Sequence, residues 1–254
     1  MDFLLTLKSR NEVLFWFGLA NLVTAIILIT LSFTKPVTFA GTNAWHKPLK
    51  FALSTLIFSW SMGWYTGYLG TGQGIVAFNW IIVITLGFEV GYIALQAGKG
   101  MASHYNVSSP LYSFLFTLMA FAASLATIAT AYIGILFFTG AFPDLPGYYV
   151  WAICIGIVLF VIFSFEGFLM GAAGAHTIGG ADGSPGLPFL NWSRKFGDAR
   201  VAHFIGMHAL QVLPLLAFFL FKDTKLTIGV GILYAALAVF VLIQALQGRP
   251  LFRG

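Results

Sequence analysis

Four ionisable side chains lie inside long apolar stretches of this sequence. Glu89 and Glu166 each interrupt a run of hydrophobic residues, and His203 and His208 lie together in a third run. An ionisable group inside a membrane costs about 2.5 kcal/mol or more unless it meets a partner or water. These four residues are therefore the first candidates for chemistry.

Imidazole and carboxylate groups together form a typical ligand set for Zn or non-haem Fe. The sequence accordingly predicts a metal-dependent membrane enzyme in which His203 and His208 are metal ligands. Glu89 and Glu166 are the candidate catalytic residues, either as a general base or as further metal ligands. The expected substrate is a lipid or another hydrophobic small molecule, and the expected reaction is hydrolysis or oxidation.

Three further histidines, His46, His104 and His176, lie in connecting segments between apolar runs. The first two belong to segments that combine His, Lys, Asn and an aromatic residue, and a third such segment leads into His203. These segments are Asn43–Lys50, Gln96–Asn106 and Asn191–His203. Such dense polar chemistry predicts a cavity that opens on one side of the membrane.

A b-type haem protein is the first alternative. Haem needs one or two axial histidines at matched depth. His203 or His208 could pair with one of the cofactor-binding candidates His46, His104 and His176. The weakness of this alternative is that no other apolar run carries a deep histidine.

A proton-coupled transporter is the second alternative, with the two glutamates and the histidines as a relay. Against it, the ionisable residues stop near half depth, and no polar path through the other half is evident from the sequence. The four intramembrane residues could also form a hydrogen-bonded network that only orients the helices.

The overall composition excludes several classes of protein. The chain has 254 residues, of which 59% are hydrophobic and 8% are charged, whereas a soluble domain has roughly 25% charged residues. The few cations do not form the dense basic surface that nucleic acid requires. Cys154 is the single cysteine, so no disulfide can form within the chain. The composition is typical of an all-α, polytopic membrane protein.

Seven apolar runs are long enough to cross a bilayer, which takes about 20 residues. They predict a single domain over residues 1–254, a bundle of seven transmembrane helices. The runs are Val13–Phe33, Phe51–Leu69, Ile75–Gly98, Leu111–Phe138, Tyr149–Gly171, Val201–Phe221 and Leu226–Leu246. Residues 1–12 could lie along the membrane interface, and residues 172–200 form a long loop over the predicted site.

Charge in the connecting segments predicts the orientation. Four Lys and Arg residues fall on one side of a seven-span chain and nine, including Arg253, on the other. The positive-inside rule then places the N-terminus outside and the C-terminus in the cytoplasm.

In a chain with seven crossings, every second connecting segment lies on the same side of the membrane. This places His46, His104 and His176 on one side. At about 1.5 Å per residue, His208 and Glu89 lie roughly 14 Å deep from that side. Their matched depth predicts that His208 faces the bundle interior near Glu89 or Glu166.

Overall fold

The computed structural model describes residues 3–182 and 186–252, and most of these residues are helical. In chain order the elements are α1 (Phe3–Arg10), α2 (Glu12–Thr34), β1 (Thr38–Phe39), β2 (Thr42–Asn43), α3 (His46–Thr66), α4 (Gln73–Gly98), α5 (Pro110–Thr139), α6 (Gly147–Ala173), β3 (Thr177–Ile178), β4 (Gly197–Asp198), α7 (Ala199–Leu216) and α8 (Thr224–Leu246). A π-helical turn, Ala217–Phe221, continues α7. The predicted all-α class is confirmed.

Within the described residues, six helices are long and apolar enough to cross a membrane: α2, α4, α5, α6, α7 with its π-helical turn, and α8. A multi-pass integral membrane protein is therefore supported. The predicted count of seven is not confirmed, because α3 is not among the six. Its first turns carry His46, Lys47 and Lys50, which lower its hydropathy.

The start of α3 differs from the prediction. The helix begins at His46, five residues before the predicted run, so this histidine is a helix residue and not a loop residue. Pro48 lies in the first turn of α3, where the missing N–H of proline does not interrupt the helix.

The chain divides into two compact units, Met1–Ala129 and Thr130–Gly254. Each unit contains a long helix, a short antiparallel two-stranded sheet and two further helices, in the same order. In the first unit Thr38 pairs with Asn43, and in the second Thr177 pairs with Asp198. The single domain predicted over residues 1–254 stays a prediction.

In the first unit, α3 runs antiparallel to both α2 and α4. At one end, the Asn11 side chain that caps α2 contacts Thr66 at the end of α3 and Asn79 near the start of α4. At the other end, the Trp45 ring lies beside Gly98, where α4 ends. This second end carries the sheet β1–β2, and we call it the sheet end of the first unit.

In the second unit, α7 runs antiparallel to α6. Gly167 lies beside His203 near one end of this pair. The rings of Tyr149 and Phe218 meet at the other end, with centroids 5.5 Å apart. The end of α8 packs on Gly197 of β4, so the sheet end of the second unit holds the end of α6, the start of α7 and the end of α8.

The first helix lies against the first unit. Leu7 of α1 is fully buried, whereas Phe3 and Leu5 are exposed. This one-sided burial agrees with a short amphipathic segment, although its predicted position at the membrane interface stays a prediction. Arg253, one of the cations used to predict the orientation, lies outside the described residues.

Candidate functional site

Glu166 and His203 form a hydrogen-bonded pair at the sheet end of the second unit. His203 Nδ1 lies 3.2 Å from Glu166 Oε2. The Glu166 side chain is 4% exposed and that of His203 is 30% exposed. With the carboxylate ionised, Nδ1–H donates to it, and the lone pair of the neutral ring is then on Nε2. This arrangement resembles the carboxylate–imidazole unit of a general base.

The second carboxylate oxygen of Glu166 is also buried. Oε1 has no hydrogen-bond partner among residues 3–182 and 186–252. A buried carboxylate oxygen without a partner costs about 1–3 kcal/mol. In a purely structural contact, we would expect this oxygen to have a hydrogen-bond partner.

Close helix packing brings the pair together. Gly156 of α6 lies against the backbone of Ala209 and Leu210 in α7, and Gly206 of α7 lies against the Phe163 ring. A side chain at either glycine would push the two helices apart. The small residues therefore set the short separation that lets a glutamate of α6 reach a histidine of α7.

Gly167 makes room for the imidazole itself. A Cβ atom at this position would lie 3.2 Å from His203 Cε1, whereas one at Gly171 would meet nothing within 4 Å. The sequence Gly167-x-x-x-Gly171 therefore has one glycine that contacts the site and one that does not.

Two other histidines of the second unit are held in the same way. His176 Nδ1 lies 2.9 Å from Asp182 Oδ2, and His208 Nδ1 lies 3.2 Å from Gln211 Oε1. Histidines that bind a metal through one ring nitrogen commonly donate the other N–H to such an oxygen. The orientation of these rings alone is thus compatible with ligation as well as with proton transfer.

Asp182 orders the segment after α6. It accepts hydrogen bonds from the backbone N–H of His176 and from that of Thr177, at 3.0 and 2.8 Å. Partial burial raises the pKa of the Asp182 carboxyl, but the hydrogen bonds from His176 and Thr177 outweigh this effect. They hold the pKa well below its usual range.

Asp198 organises the segment that leads into α7. Its carboxylate, with 2% of the side chain exposed, accepts from the backbone N–H groups of Ser193 and Arg200 and from the Arg200 guanidinium. Arg200 is thereby held as the partner of Asp198. Arg194 and Lys195 in the same segment are exposed.

The predicted metal ligands do not gather into one set. Within the described residues, no group of three or more His, Cys, Asp and Glu side chains is placed to hold a metal ion. The structure brings Glu166 to His203, and it turns His208 toward Gln211. The predicted Zn or non-haem Fe centre stays a prediction.

Glu89, His46 and His104 belong to the first unit. Glu89 is buried on α4, 8% exposed. His46 begins α3, and the ring of His104 lies 5.9 Å from that of Phe51, which puts both histidines at the sheet end of that unit. The predicted proximity of His208 and Glu89, which lie in different units, stays a prediction.

Sequence reasoning missed three contributors to the site: Asp182, Asp198 and the specific role of Gly167. Asp198 had a usable signal, because an Asp directly before an apolar helical run is a common N-cap. Asp182 and Gly167 had none that distinguishes them from other loop acids and helix glycines. The role of Gly167 depends on His203, which is distant in the chain, and that of Asp182 depends on how the loop folds back onto His176 and Thr177.

Comparison with known proteins gave no match: no family model, no curated protein and no solved structure is similar to this chain.

Proposed function

We propose that the protein is a membrane-embedded enzyme that crosses the bilayer seven times and uses the Glu166–His203 pair as a general base on a lipid ester. The observation that carries this proposal is the pair itself. A carboxylate that is 4% exposed lies 3.2 Å from Nδ1 of an imidazole that is 30% exposed.

The seventh crossing is α3. This helix packs antiparallel to α2 from Thr66, which contacts Asn11, to Trp45, whose indole N–H donates to the Lys35 carbonyl at 2.9 Å. A helix that follows α2 from end to end must cross the bilayer if α2 does. Its polar first turns lie at the sheet end, where they need not enter the hydrocarbon core.

The position of His203 favours a lipid substrate. The residue lies about 6 Å along α7 from Ala199, near the boundary between headgroups and acyl chains. The ester groups of a glycerolipid lie at this boundary. The exposed cations Arg194 and Lys195 in the preceding segment are suited to hold an anionic headgroup.

In the proposed reaction, Nε2 of His203 takes a proton from a water molecule as the water oxygen attacks the ester carbonyl carbon. Glu166 stabilises the imidazolium that forms. The imidazolium then returns the proton to the leaving alcohol oxygen as the ester bond breaks.

The test is lipid hydrolysis by the full chain in vesicles of phosphatidylglycerol and phosphatidylethanolamine that carry a fluorescent acyl chain. We expect wild type to release the labelled fatty acid, and Glu166→Gln and His203→Gln to lower kcat by about 100-fold or more. Glu12→Gln is the matched control, since Glu12 is an exposed carboxylate at the start of α2.

Wild-type protein without hydrolysis, or variants with the wild-type rate, would overturn the proposal. A visible spectrum of the same preparation separates the haem alternative, because a Soret band would show bound haem. Metal analysis does the same for Zn and Fe.

A further inference from the structure

A second polar feature lies within the first unit, where the buried face of α4 carries five polar side chains between apolar ones. This face carries an amide, a hydroxyl, a carboxyl, a phenol and a second amide in order. The residues are Asn79, Thr85, Glu89, Tyr92 and Gln96, each between 2% and 8% exposed. An apolar face would be expected on a helix that only packs.

Helix α3 opposes this face with buried hydroxyls. The contacts at the two ends of α3 and α4, near Thr66 and Trp45, fix which residues of the two antiparallel helices lie side by side. At equal rise along both helices, Ser59 comes level with Thr85, and Thr55 comes level with Glu89. We call these opposed side chains, Thr55, Ser59, Thr85, Glu89, Tyr92 and Gln96, the polar seam.

Three atoms of the polar seam lack hydrogen-bond partners within the described residues. They are Ser59 Oγ, Tyr92 OH and Gln96 Oε1, and all are buried. Groups of this kind are normally satisfied by internal water. Two of the three lie between Glu89 and the sheet end, so water in the seam would connect the carboxyl to that end.

Glu89 has no charged partner among the described residues of the first unit. No residue in the described part of the first unit forms a hydrogen bond or an ion pair with its carboxyl. At its level, α2 offers Asn21 and α3 offers Thr55. Met119, in the first part of α5, packs in a cluster with Tyr92. Among the described residues, Tyr92 is the one other titratable group on this face of α4.

From Glu89 toward the end of the unit away from the sheet, apolar side chains fill the space between α3 and α4. Met62 and Ile82 come level with each other on α3 and α4, and both are fully buried, as is Phe78 one turn further on. They separate the polar seam from the contacts of Asn11, Thr66 and Asn79. Along this helix pair, the polar side chains next to Glu89 therefore continue only toward the sheet end.

We propose that Glu89 is a proton-binding site that exchanges its proton with water through Tyr92 and Gln96, from the sheet end of the first unit. A proton from water adds to the carboxylate to give the carboxylic acid, and it leaves by the same path. No other bond changes. The site is separate from the Glu166–His203 pair and does not rest on the proposed hydrolysis.

The first test is infrared difference spectroscopy of the reconstituted full chain between two pH values. The wild type should show the C=O stretch of a protonated carboxyl that Glu89→Gln removes and Glu89→Asp retains at a shifted frequency. Glu166→Gln serves as the comparator, because it should remove a different band or none. If neither Glu89 variant changes the spectrum, the proposal is wrong.

The second test addresses the path. After transfer to deuterated water, the Glu89 band shifts as its proton is replaced, and the rate of this shift reports access. Gln96→Leu should slow it by about tenfold, because the path loses a hydrogen-bond partner. Gln73→Leu, at the far end of the same helix, should leave the rate unchanged. A wild-type rate in Gln96→Leu would refute access through this residue.

Discussion

At the scale of single residues, Gly167 offers the most direct perturbation of the Glu166–His203 pair. Its added Cβ would lie 3.2 Å from the imidazole, close enough to displace the ring by a few tenths of an ångström. We expect Gly167→Ala to lower lipid hydrolysis by about tenfold, since small displacements of a catalytic group have large effects on rate. The measurement is kcat beside the melting temperature.

Gly171→Ala is the matched control, because it makes the same substitution one turn away in open space. It should leave both quantities near their wild-type values. Equal rates for the two variants would mean that the position of the imidazole does not matter to turnover.

The charged residues show how differently one residue type can be used in this chain. Arg194 and Lys195 are exposed, whereas Arg200 is held by Asp198 and by the Asn191 carbonyl, 2.6 Å from its guanidinium. The sequence pattern treats these three cations alike. Their surroundings differ, since the Arg200 guanidinium is hydrogen-bonded within the protein and the other two side chains are exposed.

At the scale of elements, Asp198 determines how α7 begins. The carboxylate caps the helix and binds both Ser193 and Arg200. We expect Asp198→Ala to lower the free energy of unfolding by about 2–3 kcal/mol, from the lost cap and the buried N–H groups left without a partner. Thermal unfolding in one detergent measures this loss.

Asp223→Ala provides the comparison, since Asp223 caps α8 by accepting from the Leu226 N–H at 2.8 Å in an exposed position. It should cost only about 1 kcal/mol. If both substitutions destabilise equally, the contacts of Asp198 beyond the cap contribute nothing.

At the scale of the whole molecule, the number of crossings depends on α3. Thr38 precedes α3 at the sheet β1–β2 and Thr71 follows it, and both are exposed. With the N-terminus outside, a membrane-impermeant maleimide on intact cells should label Thr71→Cys and not Thr38→Cys. The background is Cys154→Ser, which removes the single, buried cysteine.

The reverse labelling would keep the seven crossings and invert the orientation. Labelling of both positions, or of neither until the cells are opened, would show that α3 does not cross. In either case the membrane-spanning helices would be the six that are long and apolar enough.

The repeated order of elements in the two units is also a property of the whole molecule. Each unit places a two-stranded sheet between its first and second long helices, β1–β2 in one and β3–β4 in the other. Strands of two residues have no hydrophobic periodicity, so the sequence pattern did not indicate them. The Glu166–His203 pair lies near the sheet end of the second unit, and the path proposed for Glu89 leads to the sheet end of the first.

The sequence by itself determined the helices. A chain in a bilayer must satisfy its backbone hydrogen bonds internally, so long apolar runs become helices regardless of what packs against them. The predicted runs accordingly correspond to α2 through α8 with small shifts at their ends. Helix α3 is the exception, because it is less apolar than its neighbours and packs against α2 and α4.

Tertiary structure alone decided which polar side chains meet. His203 pairs with Glu166 while His208 turns to Gln211, although both histidines lie on one helix. That choice depends on how closely α6 approaches α7, which is set by Gly156 and Gly206 against residues far away in the chain. Depth along a helix can be read from residue number, but the direction and neighbour of a side chain depend on contacts that no local pattern contains.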